Sequence, residues 1–330
     1  RGFMIYRRNS ILGGEQELKE DGLFYGVTNS GRSSLRWLLR SMKLYGKNIL
    51  VPDFICQVVI DVLLEFEMNI VFYTVHDNFE FSLPKNLNDI SALYLVKYFG
   101  HASDSFNSAI SSSSIPLIID DVFGVHAPVI SPNISWGYFN SLRKITQIAD
   151  FSYVVTNIPL VDIDKKKLSC FAALKYQGKN MKFNFIYNDS GNESEYLECF
   201  NKSERIINDN VGIFYPEDKS IYLVGKFQEN YVNDRMIRLK NLAEAERCIA
   251  RDKKINVSPD YPSFFPVLLN QREKVRGELM KRGIYLAVHW PNTNQIRNNI
   301  SDRIISVPLD SRYNSKDILR ICDLINQFDD

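Results

Sequence analysis

The chain has 330 residues, a length that fits one large domain or two medium ones. Hydrophobic residues make up 45% of it and charged residues 24%, which is typical of globular proteins and excludes a largely disordered chain. The formal net charge is only +1, so the sequence favours a small-molecule ligand over nucleic acid or an anionic membrane surface.

The sequence carries no sign of a membrane span, a secretory signal or a metal site. Its longest apolar stretches, such as 58–66, contain acids and fall short of the ~20 residues that cross a bilayer. The first residues lead directly into Arg7 and Arg8 without an apolar segment, so no secretory signal is expected. The cysteines are odd in number and widely spaced: Cys56, Cys170, Cys199, Cys248 and Cys322. We therefore expect a cytoplasmic protein with reduced thiols and no bound metal.

Helical and strand-like segments alternate through the first half of the chain. A 3.6-residue periodicity, with Ser30 as candidate N-cap and Gly46 as candidate stop, predicts a helix over 31–45, and a second helix is predicted over 55–63. Apolar runs predict strands at 49–51, 70–73, 92–98, 117–119, 138–141 and 151–156. Because long connections separate these runs, we expect an α/β fold with a mostly parallel sheet covered on both faces.

The second half of the chain has a different pattern. Residues 162–221 are polar and irregular, which indicates a helical excursion or a mobile cover. A long charged helix is predicted over 233–250. It is followed by predicted strands at 264–269, 284–288 and 304–307 and helices at 272–281 and 318–328. We therefore divide the chain into a large domain over 1–225, which begins with an N-terminal arm, and a smaller α+β domain over 226–330.

Three segments lie where open α/β sheets bind ligands, at strand ends and helix N-termini. The first is the turn at 28–34, in which Ser30, Gly31 and Arg32 open a helix and offer hydroxyls and backbone amides to a phosphate. A plain N-cap is the simpler interpretation of this turn when it is considered alone.

The second segment is an apolar strand that ends in Asp120 and Asp121. A buried carboxylate stays charged only beside a cation, and a protonated ring nitrogen would serve. Metal ligation and a loop cap are the alternatives.

The third segment delivers Ser141 and then Lys144 just past a strand end. A lysine that is desolvated or set beside other cations has a lowered pKa and a nucleophilic amine. The three segments follow one another as a phosphate site, an acid and a lysine, which are the three groups that pyridoxal phosphate enzymes require. In those enzymes the lysine holds the cofactor as a Schiff base, the aspartate keeps the pyridine nitrogen protonated, and a helix N-terminus holds the phosphate.

The sequence also resembles the DegT/DnrJ/EryC1/StrS aminotransferases, which are pyridoxal phosphate enzymes of fold type I that usually aminate nucleotide-linked keto sugars. The matching stretches, which extend from about residue 10 to the C-terminus, are Ser30-Gly31-Arg32-Ser33-Ser34-Leu35, Val51-Pro52-Asp53-Phe54-Ile55-Cys56, Ile118-Ile119-Asp120-Asp121, Ser141-Leu142-Arg143-Lys144, Gly283-Ile284-Tyr285 with His289-Trp290-Pro291, and Val307-Pro308-Leu309-Asp310-Ser311-Arg312-Tyr313.

The resemblance implies roles for several of these residues. Lys144 would be the Schiff-base lysine and Asp121 the pyridine-nitrogen partner, with neighbouring Asp120 as its rival. The 30–32 turn and Ser141 would bind the cofactor phosphate. The family often stacks an aromatic residue from the segment at 51–54 on the cofactor ring, which makes Phe54 the candidate here.

Two departures from the family pattern concern the catalytic region. The family commonly has glutamine or histidine three residues after the pyridine-binding acid, where this chain has Gly124. It also commonly has a glycine pair after the lysine, where this chain reads Ile148-Ala149-Asp150-Phe151.

Three further residues are candidates for substrate contacts. His126 follows the acid pair closely enough to reach the site, although a structural histidine is the more common case. Trp290 has a ring that suits a sugar or base, with packing as the alternative. Arg312 is suited to bidentate binding of a donor carboxylate, with a buried ion pair as the alternative.

The sequence therefore predicts an aminotransferase that moves an amino group, with glutamate as the donor, to a nucleotide-linked keto sugar for polysaccharide or secondary-metabolite synthesis. The resemblance further implies a homodimer. A protein that binds the cofactor without transamination is the alternative suggested by the two departures. Sugar dehydration on the same cofactor is disfavoured, because that reaction typically requires replacement of the lysine.

Overall fold

The computed structural model describes residues 16, 18, 20–130 and 133–329. Residues 1–8, on which the expectation about a secretory signal depends, and most of the predicted N-terminal arm lie outside the described residues. No helix in the described ranges has the length and apolar character that a bilayer span requires.

A seven-stranded sheet forms the centre of the larger part of the chain. Its strands are β1 (Phe24–Thr28), β2 (Asn48–Pro52), β3 (Asn69–Tyr73), β4 (Ala92–Val96), β5 (Leu117–Asp121), β6 (Trp136–Asn140) and β7 (Ser152–Thr156). They lie side by side in the order β1, β7, β6, β5, β4, β2, β3. Only β7 is antiparallel to its neighbours, so the expectation of a mostly parallel α/β sheet is confirmed.

Helices connect the parallel strands and cover the sheet. They are α1 (Gly31–Ser41), α2 (Gln57–Glu65), α3 (Asp104–Ser112) and the short α4 (Leu142–Ile145). The predicted periodicity of α1 is confirmed, since Leu35, Leu38 and Leu39 are almost completely buried. The helix ends at Ser41 rather than near residue 45, because Lys43 adopts a left-handed conformation with φ 55° that no α-helix continues through.

The polar segment at 162–221 forms a helical hairpin, so the helical interpretation of this segment is confirmed. Its helices are α5 (Ser169–Tyr187) and α6 (Glu193–Asp209), and they contact each other along their length. The Asn192 side chain accepts a hydrogen bond from the Glu195 amide and thereby caps the start of α6. We call residues 169–209 the α5–α6 hairpin.

The C-terminal part of the chain contains a second, two-stranded antiparallel sheet. This sheet pairs β8 (Phe264–Leu268) with β9 (Ile304–Pro308), and the helices here are α7 (Asp218–Cys248), α8 (Arg272–Met280), α9 (Asn299–Arg303) and α10 (Ser315–Phe328). The predicted strand at 284–288 is wrong, because only Ala287 forms a bridge, to Ser306. Helix α7 is continuous across residue 225, so the two proposed domains share one helix.

The six mutually parallel strands end at one edge of the large sheet. Thr28 of β1, Pro52 of β2, Val96 of β4, Asp121 of β5 and Asn140 of β6 are the last residues of their strands. In open α/β sheets this carboxyl edge is where ligands bind, because helix N-termini and loop side chains converge there. The candidate residues at 30–32 and 141–144 follow these strand ends, and Asp120 and Asp121 are the last two residues of β5.

Candidate active site

Lys144 lies on α4, immediately after β6. Part of its side chain is exposed to solvent, although many protein atoms lie around its amine. The neighbouring charge of Arg143 and then burial lower the pKa of Lys144 to about 8. Within the described residues, no hydrogen bond or ion pair engages its amine. The amine therefore loses its proton more readily than that of an ordinary lysine, which favours its action as a nucleophile.

Asp121 is fully buried at the end of β5. Its Oδ2 atom lies 3.2 Å from the Lys97 amine and accepts a 3.4 Å hydrogen bond from the Tyr138 hydroxyl. Its Oδ1 atom is buried and has no partner in the described part of the chain. Burial raises the pKa of Asp121 and the Lys97 charge opposes that rise. An unpartnered buried carboxylate oxygen is costly, and a protonated ring nitrogen would satisfy it.

Asp120 has different surroundings, because both of its oxygens accept hydrogen bonds. Tyr94 donates its hydroxyl at 2.7 Å and Val122 its amide at 3.2 Å. Burial raises the pKa of Asp120 to about 7, although the Tyr94 hydrogen bond and the nearby Lys144 charge lower it. Asp121 is thus the acid with an acceptor oxygen to offer, while Asp120 is within electrostatic reach of Lys144.

The hydroxyl of Ser30 is already used within the protein. It caps α1 by accepting the Ser33 amide and donates to Asn29 at 2.8 Å. A β-carbon added to Gly31 would lie 3.2 Å from the Phe139 ring, so this glycine makes room for packing. The geometry therefore supports the plain N-cap interpretation for Ser30 and a packing role for Gly31. It leaves the backbone amides of the first helical turn as the anion-binding groups.

Two buried polar groups near this turn lack partners among the described residues. They are the Ser141 hydroxyl and the Asn29 side-chain nitrogen. Both are donors, and buried donors in native structures are normally satisfied. A phosphate at the α1 N-terminus would accept from donors of this kind.

Arg32 points away from the first turn of α1, toward α6. Its guanidinium donates to the side chain of Asn208 and forms an ion pair with Glu204 at 3.3 Å. The structure therefore places Arg32 in a cluster of charged side chains beside Lys144 rather than in the backbone cradle.

Phe54 does not face the carboxyl edge as a free ring. It is fully buried, stacked on Tyr98 at a centroid distance of 5.2 Å and in edge contact with Trp290 at 5.0 Å. Trp290 is 8% exposed and also contacts the Phe99 and Phe123 rings. These contacts support packing roles for Phe54 and Trp290 in place of the cofactor and substrate contacts expected from the sequence.

Replacing Phe54 with alanine is therefore expected to destabilise the cofactor-free protein by about 3–5 kcal/mol, the usual cost of emptying a buried aromatic site. Denaturant unfolding of the cofactor-free protein measures this loss. The control is Phe183→Ala, since Phe183 is 53% exposed and its loss should change stability by less than about 0.5 kcal/mol. Unchanged stability of Phe54→Ala together with weakened cofactor binding would show that the ring stacks on the cofactor.

His289 belongs to the matching stretch His289-Trp290-Pro291, but no individual role was predicted for it from the sequence. Its ring contacts Phe99 and Phe123 edge-on, and its Nδ1 atom lies 2.7 Å from the Ser306 hydroxyl. Burial and the charge of Lys144 lower the pKa of His289 to about 3, so its ring is neutral. His289 brings the C-terminal part of the chain to Lys144.

Lys97 and Asn29 were also missed. Lys97 follows β4 as Asp121 ends the neighbouring β5, and a lysine near the end of the apolar run predicted at 92–98 was the available signal. Asn29 was part of the recognised turn but carried no pattern of its own.

His126 and Arg312 are engaged away from Lys144. His126 is exposed and contacts the Tyr231 ring of α7 at 5.4 Å. Arg312 is paired in a bidentate manner with Asp310, at 2.6 and 2.9 Å. This pair matches the structural alternative for Arg312, except that the guanidinium side chain is 57% exposed rather than buried.

The two departures from the family pattern have structural explanations. A β-carbon on Gly124 would lie 1.9–2.5 Å from the atoms of the Asp121 carboxyl group, so only glycine fits at this place. Asp150, where the family has a glycine pair, accepts hydrogen bonds from Glu217 and Ser220 at the start of α7. Both residues thus belong to the local packing of this chain.

No group of three or more histidine, cysteine, aspartate or glutamate side chains suited to a metal ion occurs within 20–130 and 133–329. The polar groups at the carboxyl edge of the sheet fit pyridoxal phosphate. The unpartnered Asp121 oxygen suits its ring nitrogen, Lys144 its aldehyde, and Ser141 with the α1 amides its phosphate.

No protein-family model and no curated protein matches this sequence. Solved structures do match the fold. The S. venezuelae protein DesV, solved with a ketimine intermediate, has 14% identity and a TM-score of 0.65, with 93% of this chain and 85% of DesV covered. Helicobacter pylori PseC, an aminotransferase involved in pseudoaminic acid biosynthesis, has 15% identity and a TM-score of 0.63, with coverage of 92% and 86%.

A DegT DnrJ EryC1 StrS aminotransferase from Brucella abortus has 14% identity and a TM-score of 0.62, with 92% of this chain and 86% of that protein covered. The chain therefore has the fold of the DegT/DnrJ/EryC1/StrS aminotransferases, the α/β architecture of fold type I pyridoxal phosphate enzymes.

Proposed function

We propose that this protein is a pyridoxal phosphate-dependent aminotransferase. The observation that carries the proposal is the combination of a lysine with a lowered pKa, Lys144, and a buried acid with an unpartnered oxygen, Asp121, at one edge of this fold. Lys144 would hold the cofactor covalently, Asp121 would face its ring nitrogen, and Ser141 with the first turn of α1 would hold its phosphate.

The bound cofactor supplies an aldehyde that condenses with amines and a ring that accepts electrons. The chain supplies binding and proton transfer. The Lys144 amine, with its pKa of about 8, would attach the cofactor and would accept and donate protons near neutral pH. Asp121 holds the proton on the ring nitrogen, because a buried carboxylate strongly favours a cation beside it. The neutral His289 ring, packed edge-on against Phe123, adds an uncharged group near Lys144.

Glutamate is the proposed amino donor, and a keto group on a nucleotide-linked sugar is the proposed acceptor, in polysaccharide or secondary-metabolite biosynthesis. The motifs shared with the DegT/DnrJ/EryC1/StrS family and the fold shared with PseC support this choice. A cytoplasmic homodimer is proposed on the same basis.

A cofactor-binding protein without transamination is the second candidate. It is favoured by Gly124, which leaves no glutamine or histidine side chain beside the Asp121 carboxylate where the family commonly has one.

Absorption spectroscopy of the protein loaded with pyridoxal phosphate separates the two candidates. A transaminase loses its visible band on addition of glutamate and releases one equivalent of 2-oxoglutarate per site, because the amino group stays on the cofactor. Addition of a keto acid restores the band. A band that persists with glutamate and with every other amino acid tested contradicts the transaminase proposal and supports the second candidate.

A further inference from the structure

Three basic side chains converge on one carboxylate beside Lys144. Glu204 of α6 lies 3.3 Å from the Arg32 guanidinium, 3.3 Å from that of Arg143 and 2.7 Å from the Lys175 amine. The cations come from three separate helices, α1, α4 and α5. We call Arg32, Arg143 and Lys175 the basic cluster.

The basic cluster holds more positive charge than its partner neutralises. Among the described residues, Glu204 is the one acid paired with these three cations, which leaves two positive charges in excess. The three cationic side chains are only 10–13% exposed, and the Nε atom of Arg143 is buried without a partner. Buried cations of this kind need a stronger counter-ion than one carboxylate.

Glu204 is the most displaceable member of the arrangement. Its side chain is 40% exposed, so it reaches the cations from the solvent side. Arg143 also lies over the buried Phe171 ring and Lys175 over the Phe200 ring, which fixes the cations in place. Although burial raises the pKa of Glu204, Arg143 and Lys175 lower it to about 2, so the carboxylate remains charged at neutral pH.

We propose that the basic cluster is a binding site for a phosphate group and that Glu204 occupies it as an internal counter-ion until a phosphate displaces it. A dianionic phosphate neutralises two of the three cations where Glu204 neutralises one, and two guanidinium groups suit its oxygens. The nearness of Lys144 and the unpartnered Ser141 hydroxyl places this phosphate on a ligand of the same site. The identity of that ligand, cofactor or nucleotide-linked substrate, rests on the proposed function, whereas the phosphate site does not.

Calorimetric titration of the cofactor-free, full-length protein with inorganic phosphate, at constant pH and ionic strength, tests this proposal. Glu204→Gln removes the competing carboxylate and is expected to bind phosphate about 5- to 150-fold more tightly than the wild type. Glu198→Gln is the matched control, because Glu198 lies on the same helix and pairs with the exposed Lys202 at 2.7 Å. Glu198→Gln removes one negative charge, as Glu204→Gln does, and should leave the affinity for phosphate at the wild-type value. Equal affinities for Glu204→Gln and the wild type contradict the proposal, as does an equal gain in both variants.

A melting series covers the case in which Glu204→Gln is too unstable for calorimetry. The variant leaves three nearly buried cations without a counter-ion, so phosphate should raise its melting temperature more than that of the wild type. A phosphate effect no larger than that in the wild type contradicts the proposal. Lys175→Gln, which removes one ligand, should weaken phosphate binding in the Glu204→Gln background, and unchanged binding there also contradicts it.

A final titration identifies the source of the phosphate. Glu204→Gln protein is loaded with pyridoxal phosphate, reduced with borohydride and titrated again with inorganic phosphate. The wild type is treated in the same way. Loss of the affinity gain that Glu204→Gln has over the wild type means that the cofactor phosphate fills the basic cluster, whereas a retained gain assigns the cluster to a phosphate of the substrate. If pyridoxal phosphate does not attach, the proposed function fails while the result with cofactor-free protein stands.

Discussion

Lys144→Ala protein is expected to lose the visible band with pyridoxal phosphate and to lose transamination activity. Loss of the proton transfers alone costs about 10²- to 10⁴-fold in rate, and loss of covalent attachment adds to this. The physical reason is that the Lys144 amine has a pKa of about 8 and no competing partner in the described part of the chain. Absorption spectra and initial rates with glutamate measure both losses.

Lys179 provides the control for this variant. Burial and then the charge of Lys175 lower the pKa of Lys179 to about 7, but its amine donates to the carbonyls of Thr146 and Ile148. Lys179→Met should therefore keep the visible band. If the band survives in Lys144→Ala and disappears in Lys179→Met, the assignment of Lys144 is wrong.

Asp121→Asn is expected to lower kcat by about 10- to 1,000-fold, because a nearby carboxylate raises the pKa of a cation by about 1–3 units. An amide cannot hold the ring nitrogen protonated to the same degree. Steady-state rates with glutamate, together with a spectrum showing that the cofactor is still bound, measure the effect.

Asp120→Asn is the comparison for this prediction, since an amide oxygen can still accept from the Tyr94 hydroxyl. It should retain kcat within about tenfold of the wild type, because both Asp120 oxygens already accept hydrogen bonds from Tyr94 and Val122 and so are not available to the ring nitrogen. A larger loss in Asp120→Asn than in Asp121→Asn would reverse the roles of the two neighbouring acids.

The sequence predicts the large sheet well because its strands are short apolar runs separated by long connections. The runs at 70–73 and 117–119 fall within β3 and β5. The antiparallel direction of β7 was not predicted, because the direction of a strand depends on which neighbours it pairs with. Strand β1 was missed, since it is short and two of its side chains, Phe24 and Tyr25, are exposed.

Other differences arise where tertiary contacts override local pattern. Residues 284–288 have a strand-like composition, but only one of them bridges to β9. Within 162–221, helix α5 lacks a clear apolar stripe, because some of its basic side chains pack toward Glu204 and the large domain. Lys175 and Lys179 both point that way.

The residues of the candidate site likewise divide into those that a local sequence pattern indicates and those that only tertiary contacts bring together. Lys144, Asp121 and Ser141 could be named from the sequence, because strand ends in an α/β sheet share one edge. The packing of Phe54 and Trp290 could not be predicted, since the sequence does not reveal which aromatic rings contact one another. Glu204 lies on a polar helix about 60 residues after Lys144, and only the fold brings it to the basic cluster.

Covalent trapping tests the central claim most directly. The protein is incubated with pyridoxal phosphate, reduced with borohydride, digested and mapped by mass spectrometry. The account predicts one modified lysine per chain, at Lys144, with the label prevented by prior addition of a carbonyl scavenger. A label on Lys97 or Lys179, or no label at all, would contradict it.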